Sequence, residues 1–323
     1  MAEVLGPDSI DFSAYLRATD AQEKVRPASM YVQDMIDDLG VSKREHHAYL
    51  PWRKTHDLFQ FRPGEVTLWA GVNGHGKSMM TGLAALSLCT QEERVCIASF
   101  EMKPRKTLER MARQWSAQAA PKEYEANDPA VLQSFRDLYD QFKEWTDSRL
   151  WLYDQQGTVK SEMILAVLRY CAKELRIRHF FIDSLMKCVM GEDDYNGQKT
   201  FIDDVTSIAR DTGMHIHVVH HLKKLPNEEQ TPDKMDVKGS GSITDQVDNL
   251  LLVWRNKKKE RDHQAGKLVS STEADAMLIC DKQRNGEWEG RFSLWYEKDS
   301  QQFVGASGAP PMSFFGGFPH ASA

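Results

Sequence analysis

The most constraining feature of the chain is the run EVTLWAGVNGHGKS, Glu65 to Ser78. The strand candidate Val66–Ala70 leads into G-x-x-x-x-G-K-S, Gly71 to Ser78, and a helical stretch follows. Glycines at 71, 74 and 76, with His75 between the last two, let the backbone wrap so that successive N–H groups face phosphate oxygens. The start of the following helix adds its positive end. In that frame Lys77 reaches the terminal phosphates and the Ser78 hydroxyl binds Mg2+. A phosphate site of this kind lies at the C-terminal edge of a parallel sheet.

The rest of the chain agrees. Short apolar runs at Val95–Phe100, Leu150–Tyr153, His179–Ile182 and His215–Val219 read as strands. Helical patterns separate them, at Ser78–Cys89, Lys106–Ala119, Ser161–Leu175 and Phe201–Thr212, with another near Val131–Trp145. Near-continuous apolar strands alternating with helices predict an α/β fold, a mostly parallel sheet covered on both faces. Leu250–Trp254, Ala276–Cys280 and Phe292–Tyr296 follow one another with little helix between them, which predicts antiparallel strands added at the C-terminal end. Three zones result. Residues 1–57 form an arm with one amphipathic helix, carried by Met30, Val32, Met35, Ile36 and Leu39. Residues 58–304 form the α/β domain. Residues 305–323 form a Gly/Pro/Phe tail expected to be disordered, whose Phe314, Phe315 and Phe318 offer a docking peptide.

Composition limits the function. Lys and Arg number 41 and Asp and Glu 47, a net charge of −6, so bulk attraction to nucleic acid is excluded and any such contact must be local. No stretch is long and apolar enough to span a membrane. The five cysteines form no C-x-x-C pair and suit a reducing compartment.

Polar residues at the carboxyl ends of the predicted strands are candidates for chemistry. Asp183, in FFIDS, suits a Mg2+ ligand beside Ser78. Glu101, after Val95–Phe100, is placed to activate a water as general base, or else is an acid stabilised by a helix N-terminus. His221, after His215–Val219, is placed to bond a terminal phosphate. His215, His217 and His221 share strand parity, but no acid or cysteine accompanies them as a metal site would require.

Taken together, GVNGHGKS, SFEM, FFIDS, VVHHLKK, KGSGSITDQVDNLLLVWRN and DKQRNG make the chain resemble the RecA-fold hexameric replicative helicases of DnaB type. Within them the likeness is to the helicase half of phage and mitochondrial, Twinkle-like, primase-helicases, over roughly residues 25 to 304. The resemblance implies a RecA-like P-loop ATPase core and a ring-forming, ATP- and Mg2+-dependent DNA helicase in replication. It implies that Glu101 is the catalytic glutamate and His221 the phosphate sensor. Arg284 would be an arginine finger and Lys282 its basic partner, both acting on the ATP of an adjacent subunit. Tyr296 would stack on the base. Single-stranded DNA would be held by the loop after His221, through Lys223, Lys224, Lys234, Lys238 and the turn Gly239-Ser240-Gly241. Lys187 and Lys199 mark a second candidate loop. The basic run Arg255–Arg261 reads as an exposed strand turn.

No primase half, zinc module or large helical collar is evident, so a stand-alone phage or prophage helicase, or a shortened form, is expected. It would act in the cytoplasm of a bacterial cell or phage-infected host. A primase or DNA polymerase would be its partner, reached through the tail. The alternative is a RecA-like recombinase or mediator that forms an ATP-dependent filament on DNA. A further rival is a nucleotide-gated loader or scaffold.

Overall fold

The computed structural model describes residues 3–5, 32, 36, 47–119, 128–191, 193–225, 227, 229–239 and 241–315. Ten strands form one sheet: β1 (Glu3–Leu5), β2 (Val66–Gly71), β3 (Val95–Ser99), β4 (Leu150–Tyr153), β5 (His179–Asp183), β6 (His215–His221), β7 (Asn249–Arg255), β8 (Ala276–Gln283), β9 (Gly290–Glu297) and β10 (Gln302–Val304). Their order across the sheet is β1-β4-β3-β5-β6-β2-β7-β8-β9-β10. Every neighbour is parallel from β1 to β7, and the last three pairings are antiparallel. The expected architecture is therefore observed, with β2 and its phosphate loop near the centre.

The helices are α1 (Lys77–Thr90), α2 (Pro104–Ser116), α3 (Pro129–Thr146), α4 (Ser161–Lys173), α5 (Tyr195–Thr212), α6 (Gly241–Gln246) and α7 (Lys257–Gln264). Capping chemistry sets several boundaries. Pro104 and Pro129 occupy the first turns of α2 and α3, where a missing N–H costs nothing. The Asp128 carboxylate accepts from the Ala130 N–H and Asp194 from Gly197. Gly213 closes α5 in the left-handed conformation. Because Asp194 caps it, α5 starts six residues before the expected Phe201, through a polar first turn that carries no apolar pattern. The basic run after Arg255 is helix α7, not a strand turn: Asn256 caps it, and Lys259 is drawn inward by Asp275 at 2.7 Å.

Side chains alternate between two core layers. Leu68, Ile182, Ile216 and Val218 face α4 and α5, while Trp69, Phe181, Val219 and Leu251 face α1 and α2. Ala48, Leu50 and Trp52, on the arm side of the expected boundary at 57, are buried in the second layer, and the Trp52 indole donates to the Phe303 carbonyl at 2.7 Å. The tail also departs from expectation: Phe314 is only 3% exposed and its N–H donates to the Trp115 carbonyl. Val32 and Ile36 are helical and half exposed; Met30, Met35, Leu39 and Phe318 lie outside the described residues.

His215 and His217 do not group with His221 but with His179 on β5, wholly buried. Their tautomers follow from their partners. The Trp69 indole donates to His217 Nδ1, so His217 Nε2 carries hydrogen and donates to His179 Nδ1 at 3.1 Å. His215 Nδ1 donates to the Arg62 carbonyl, leaving Nε2 to accept from Thr67. All three rings are thus neutral, and burial holds His179 and His217 well below the usual imidazole range and His215 at about 4. His220 is likewise pushed down to about 4 by burial. Unfolded, these groups protonate near pH 6.5; folded, they resist. Stability is therefore full above about pH 6.5 and lost as pH falls. Denaturant midpoints should hold between pH 8 and 7 and drop steeply from pH 6.5 towards 4; a flat profile to pH 5 would refute this account.

Candidate active site

β2 ends where its neighbours force a glycine. A Cβ on Gly71 would meet the Val253 carbonyl of β7 at 2.7 Å and the Lys77 stem at 3.1 Å. The chain then turns through Gly74 and Gly76, at φ 78° and 89°, into α1. A Cβ on Gly74 would meet nothing, so that position needs glycine for its backbone angle alone. His75 is buried and accepts from the Arg255 N–H at the end of β7. Lys77, also buried, folds back over the loop, its Nζ donating to the carbonyls of Gly71 (2.8 Å) and Val72 (3.3 Å).

Parallel strands bring the other candidates to this edge. The Ser78 hydroxyl donates to Asp183 Oδ2 at 2.7 Å, and the Ser184 hydroxyl to Glu101 Oε1 at 3.3 Å. Burial pushes the Asp183 carboxyl up, opposed by the Ser78 hydrogen bond, Lys77 and Arg110. Burial likewise pushes the Lys77 ammonium down, opposed by Asp183 and Glu101. A carboxylate whose charge is resisted by burial, beside a hydroxyl oxygen and a second acid, is a donor set that suits a hard divalent cation. His221 lies opposite Gly71 in the β2–β6 register, and the following N–H, of Leu222, donates to the Gly71 carbonyl.

Sequence reading missed two residues here. Arg110, on the inner face of α2, lines a cavity with Ser78, Ser99, Met102, Thr107 and Asp183. Arg255 stacks its guanidinium over the Tyr296 ring at 4.7 Å, and the Tyr296 hydroxyl lies 3.9 Å from the Met79 sulfur. The two flank the first turn of α1. Arg255 follows an apolar strand end, the signal that marked Glu101 and Asp183, and could have been found that way. Arg110 has no such signal, since only the packing of α2 aims it.

Lys282 and Arg284 stand elsewhere. They close β8 at the N-terminal end of β2 and β7, where Gln283 pairs Asn249. Lys282 Nζ donates to the carbonyls of Thr244, Asp245 and Val247, each at 2.8 Å, and Arg284 bonds Asp248 Oδ1 at 3.0 Å and the Asp245 carbonyl at 2.9 Å. About five strand residues, roughly 16 Å, separate that end from Gly71. The segment after β6 returns on itself through a bridge between Leu222 and Val237. It leaves Lys223, Lys224 and Lys234 exposed and Lys238 half-buried, with Gly239 at φ 93° before α6 opens at Gly241. Ser240 lies outside the described residues.

Residues 57–305 match the profile of the DnaB-like helicase C-terminal domain. Among solved structures, the chain is similar to the ATPase domain of G40P, with a TM-score of 0.71 and 18% identity over 89% of this chain and 99% of that one. It is also similar to a DnaB-like replicative helicase whose structure was determined with its interactions with primase, with a TM-score of 0.69 and 17% identity over 89% of this chain and 67% of that one. Both likenesses carry the fold.

The two glycine requirements separate by experiment. Gly71→Ala must displace a backbone carbonyl and should cost about 1–3 kcal/mol of stability and disturb phosphate binding. Gly74→Ala meets open space and should cost only the left-handed conformation, about 1–2 kcal/mol. Urea unfolding of both variants checks the order; a larger loss at 74 would overturn the close-contact reading.

Proposed function

The chain belongs to the DnaB-like helicase C-terminal domain family, and from that premise we propose that it is the motor of a homo-oligomeric, hexameric ring whose subunits complete one another's active sites. Family membership makes it an ATP-dependent DNA helicase of replication and sets aside the recombinase alternative.

The observation that carries the ring reading is the separation of Lys77 from Arg284. With some 16 Å of strand between them, one subunit's arginine is remote from its own phosphate loop, which supports a role for it on a neighbour's nucleotide. In this reading Lys77 exchanges the Gly71 and Val72 carbonyls for phosphate oxygens, and the P-loop amides hold the rest. Ser78 and Asp183 would hold Mg2+, which when bound would neutralise charge on the phosphate oxygens. Glu101 takes the proton of the attacking water, with the Ser184 hydroxyl fixing one carboxylate oxygen. His221 bonds the terminal phosphate, and its link through Leu222 to Gly71 ties the loop after β6 to the state of the site. Tyr296, backed by Arg255, offers a face to the base. Lys223, Lys224, Lys234, Lys238 and the turn Gly239 to Gly241 would carry single-stranded DNA through the channel.

The arm's helix, on which Val32 and Ile36 are exposed, would dock on the next subunit, while Glu3–Leu5 and the buried Ala48, Leu50 and Trp52 stay with their own domain. A primase is the proposed partner, by analogy with the helicase solved with its primase interactions; of the tail aromatics, Phe315 is exposed and accessible to it. The cytoplasm of a bacterial cell or infected host is the proposed setting.

Assembly mass with nucleotide, together with strand displacement on a forked duplex, tests the reading: hexameric rings that unwind support it, and filaments or ATP hydrolysis without unwinding would sink it. Glu101→Gln should keep nucleotide binding while hydrolysis falls by about 10²–10⁴. Arg284→Ala should lower hydrolysis by about 10³–10⁵ and, mixed with wild-type subunits, depress their activity more than dilution does; strictly proportional activity would remove the trans role.

A further inference from the structure

The segment from Met312 to Phe315 is joined to the first turn of the P-loop helix by two buried glutamines. Phe314 is buried in the second core layer, and its N–H donates to the Trp115 carbonyl at 3.0 Å. Phe315 lies edge-on to Trp115, ring centroids 5.3 Å apart. Two residues earlier, Met312 exchanges hydrogen bonds with the Gln302 side chain: its N–H donates to Oε1 at 2.9 Å and its carbonyl accepts from Nε2 at 2.6 Å. The same Nε2 donates to the Gln114 carbonyl at 2.6 Å. Gln114 Nε2 in turn donates to the Met79 carbonyl, in the first turn of α1, at 3.0 Å and to the Gln301 carbonyl at 2.9 Å. Both glutamines are wholly buried.

Glycine marks the contact at two points. A Cβ on Gly82 of α1 would stand 3.2 Å from Gln114 Oε1, and one on Gly76 would stand 3.1 Å from the Phe303 ring. Phe303 is flanked by the Tyr296 ring, centroids 5.3 Å apart. The last strand and the tail therefore back the loop and the helix turn whose N–H groups face the phosphates, with no side chain of their own in the site. Buried amides in a dry setting hold geometry firmly, because each unmade bond would leave a desolvated polar group.

We propose that residues 312–315 are a strap that positions the P-loop through a Gln302–Gln114 relay, so that nucleotide affinity depends on the seating of Phe314. The proposal rests on the P-loop being the nucleotide site. Gln114 and Gln302 are positioning residues, and Phe314 is the anchor.

The test is equilibrium binding of a fluorescent ATP analogue with Mg2+ to the full chain and to Phe314→Ala, Gln114→Met and the double variant, with thermal unfolding of each. Each single change should raise Kd by about three- to tenfold, the range one or two lost hydrogen bonds commands. The double variant should bind no more weakly than the worse single, since both cut one relay. Phe314→Leu, which keeps an apolar anchor, should restore most of the affinity. Singles that lower the melting temperature but leave Kd at the wild-type value would overturn the strap, as would effects on Kd that multiply. Failure of the wild-type chain to bind the analogue would instead overturn the nucleotide-site reading.

Discussion

The close approach of β2 to β7 at Gly71 is the constraint on which the rest of the site depends. Only a residue without Cβ can pass the Val253 carbonyl there, and only then does the chain turn soon enough for Lys77 to fold back onto the loop. Lys77 is buried, so its ammonium needs oxygen partners; in this structure the loop's own carbonyls provide them. That arrangement is a loop already shaped for anions, with its cation stored within it. The neighbouring strands then matter through register alone. β5 and β6 run parallel to β2, so Asp183 and His221 arrive at the same edge without any further device.

The antiparallel turn of the sheet after β7 has the opposite effect. β8 runs back, so residues at its end are carried away from the phosphate edge. A chain built from parallel strands alone would deliver every strand-end polar residue to one edge. The reversal at β8 divides the polar equipment between two ends of one subunit. Under the proposed reading that division is the reason a lone subunit is an incomplete enzyme.

Much of this was legible in the sequence because it rests on local pattern. Val66–Ala70, Leu150–Tyr153 and most of the other strands are largely apolar and bounded by polar residues, and strand-end acids follow by rule. What escaped was held by tertiary partners. Glu3–Leu5 is too short to read and gains its identity only from pairing with β4. Helix α7 is highly polar, and its Asn256 cap and ion pairs such as Lys259–Asp275 and Lys257–Glu260 stabilise it. The first turn of α5 is polar, and its start is fixed by Asp194 rather than by periodicity. The tail reads as disordered by composition, yet Phe314 is buried and its N–H is bonded to the Trp115 carbonyl. Burial of a Phe contributes about 1.5–3 kcal/mol, enough to order the few residues beside it when their polar groups are also bonded.

Helix α6 joins the loop after β6 to the basic pair at the end of β8. It follows directly on Lys238 and Gly239, and its last carbonyls, at Thr244 and Asp245, are the acceptors of Lys282 and Arg284. Exposed carbonyls at a helix C-terminus attract cations, so two basic side chains there are held in fixed geometry rather than left to solvent. Burial and the nearby Arg284 both push the Lys282 ammonium down, yet three carbonyls hold it in place. The loop after β6 is thus joined along the chain to the helix whose carbonyls hold the basic pair. In an acidic chain with a net charge of −6, the basic pair Lys282 and Arg284 is fastened to backbone carbonyls. The force that sets their position is hydrogen bonding to one short helix, not the overall field of the protein.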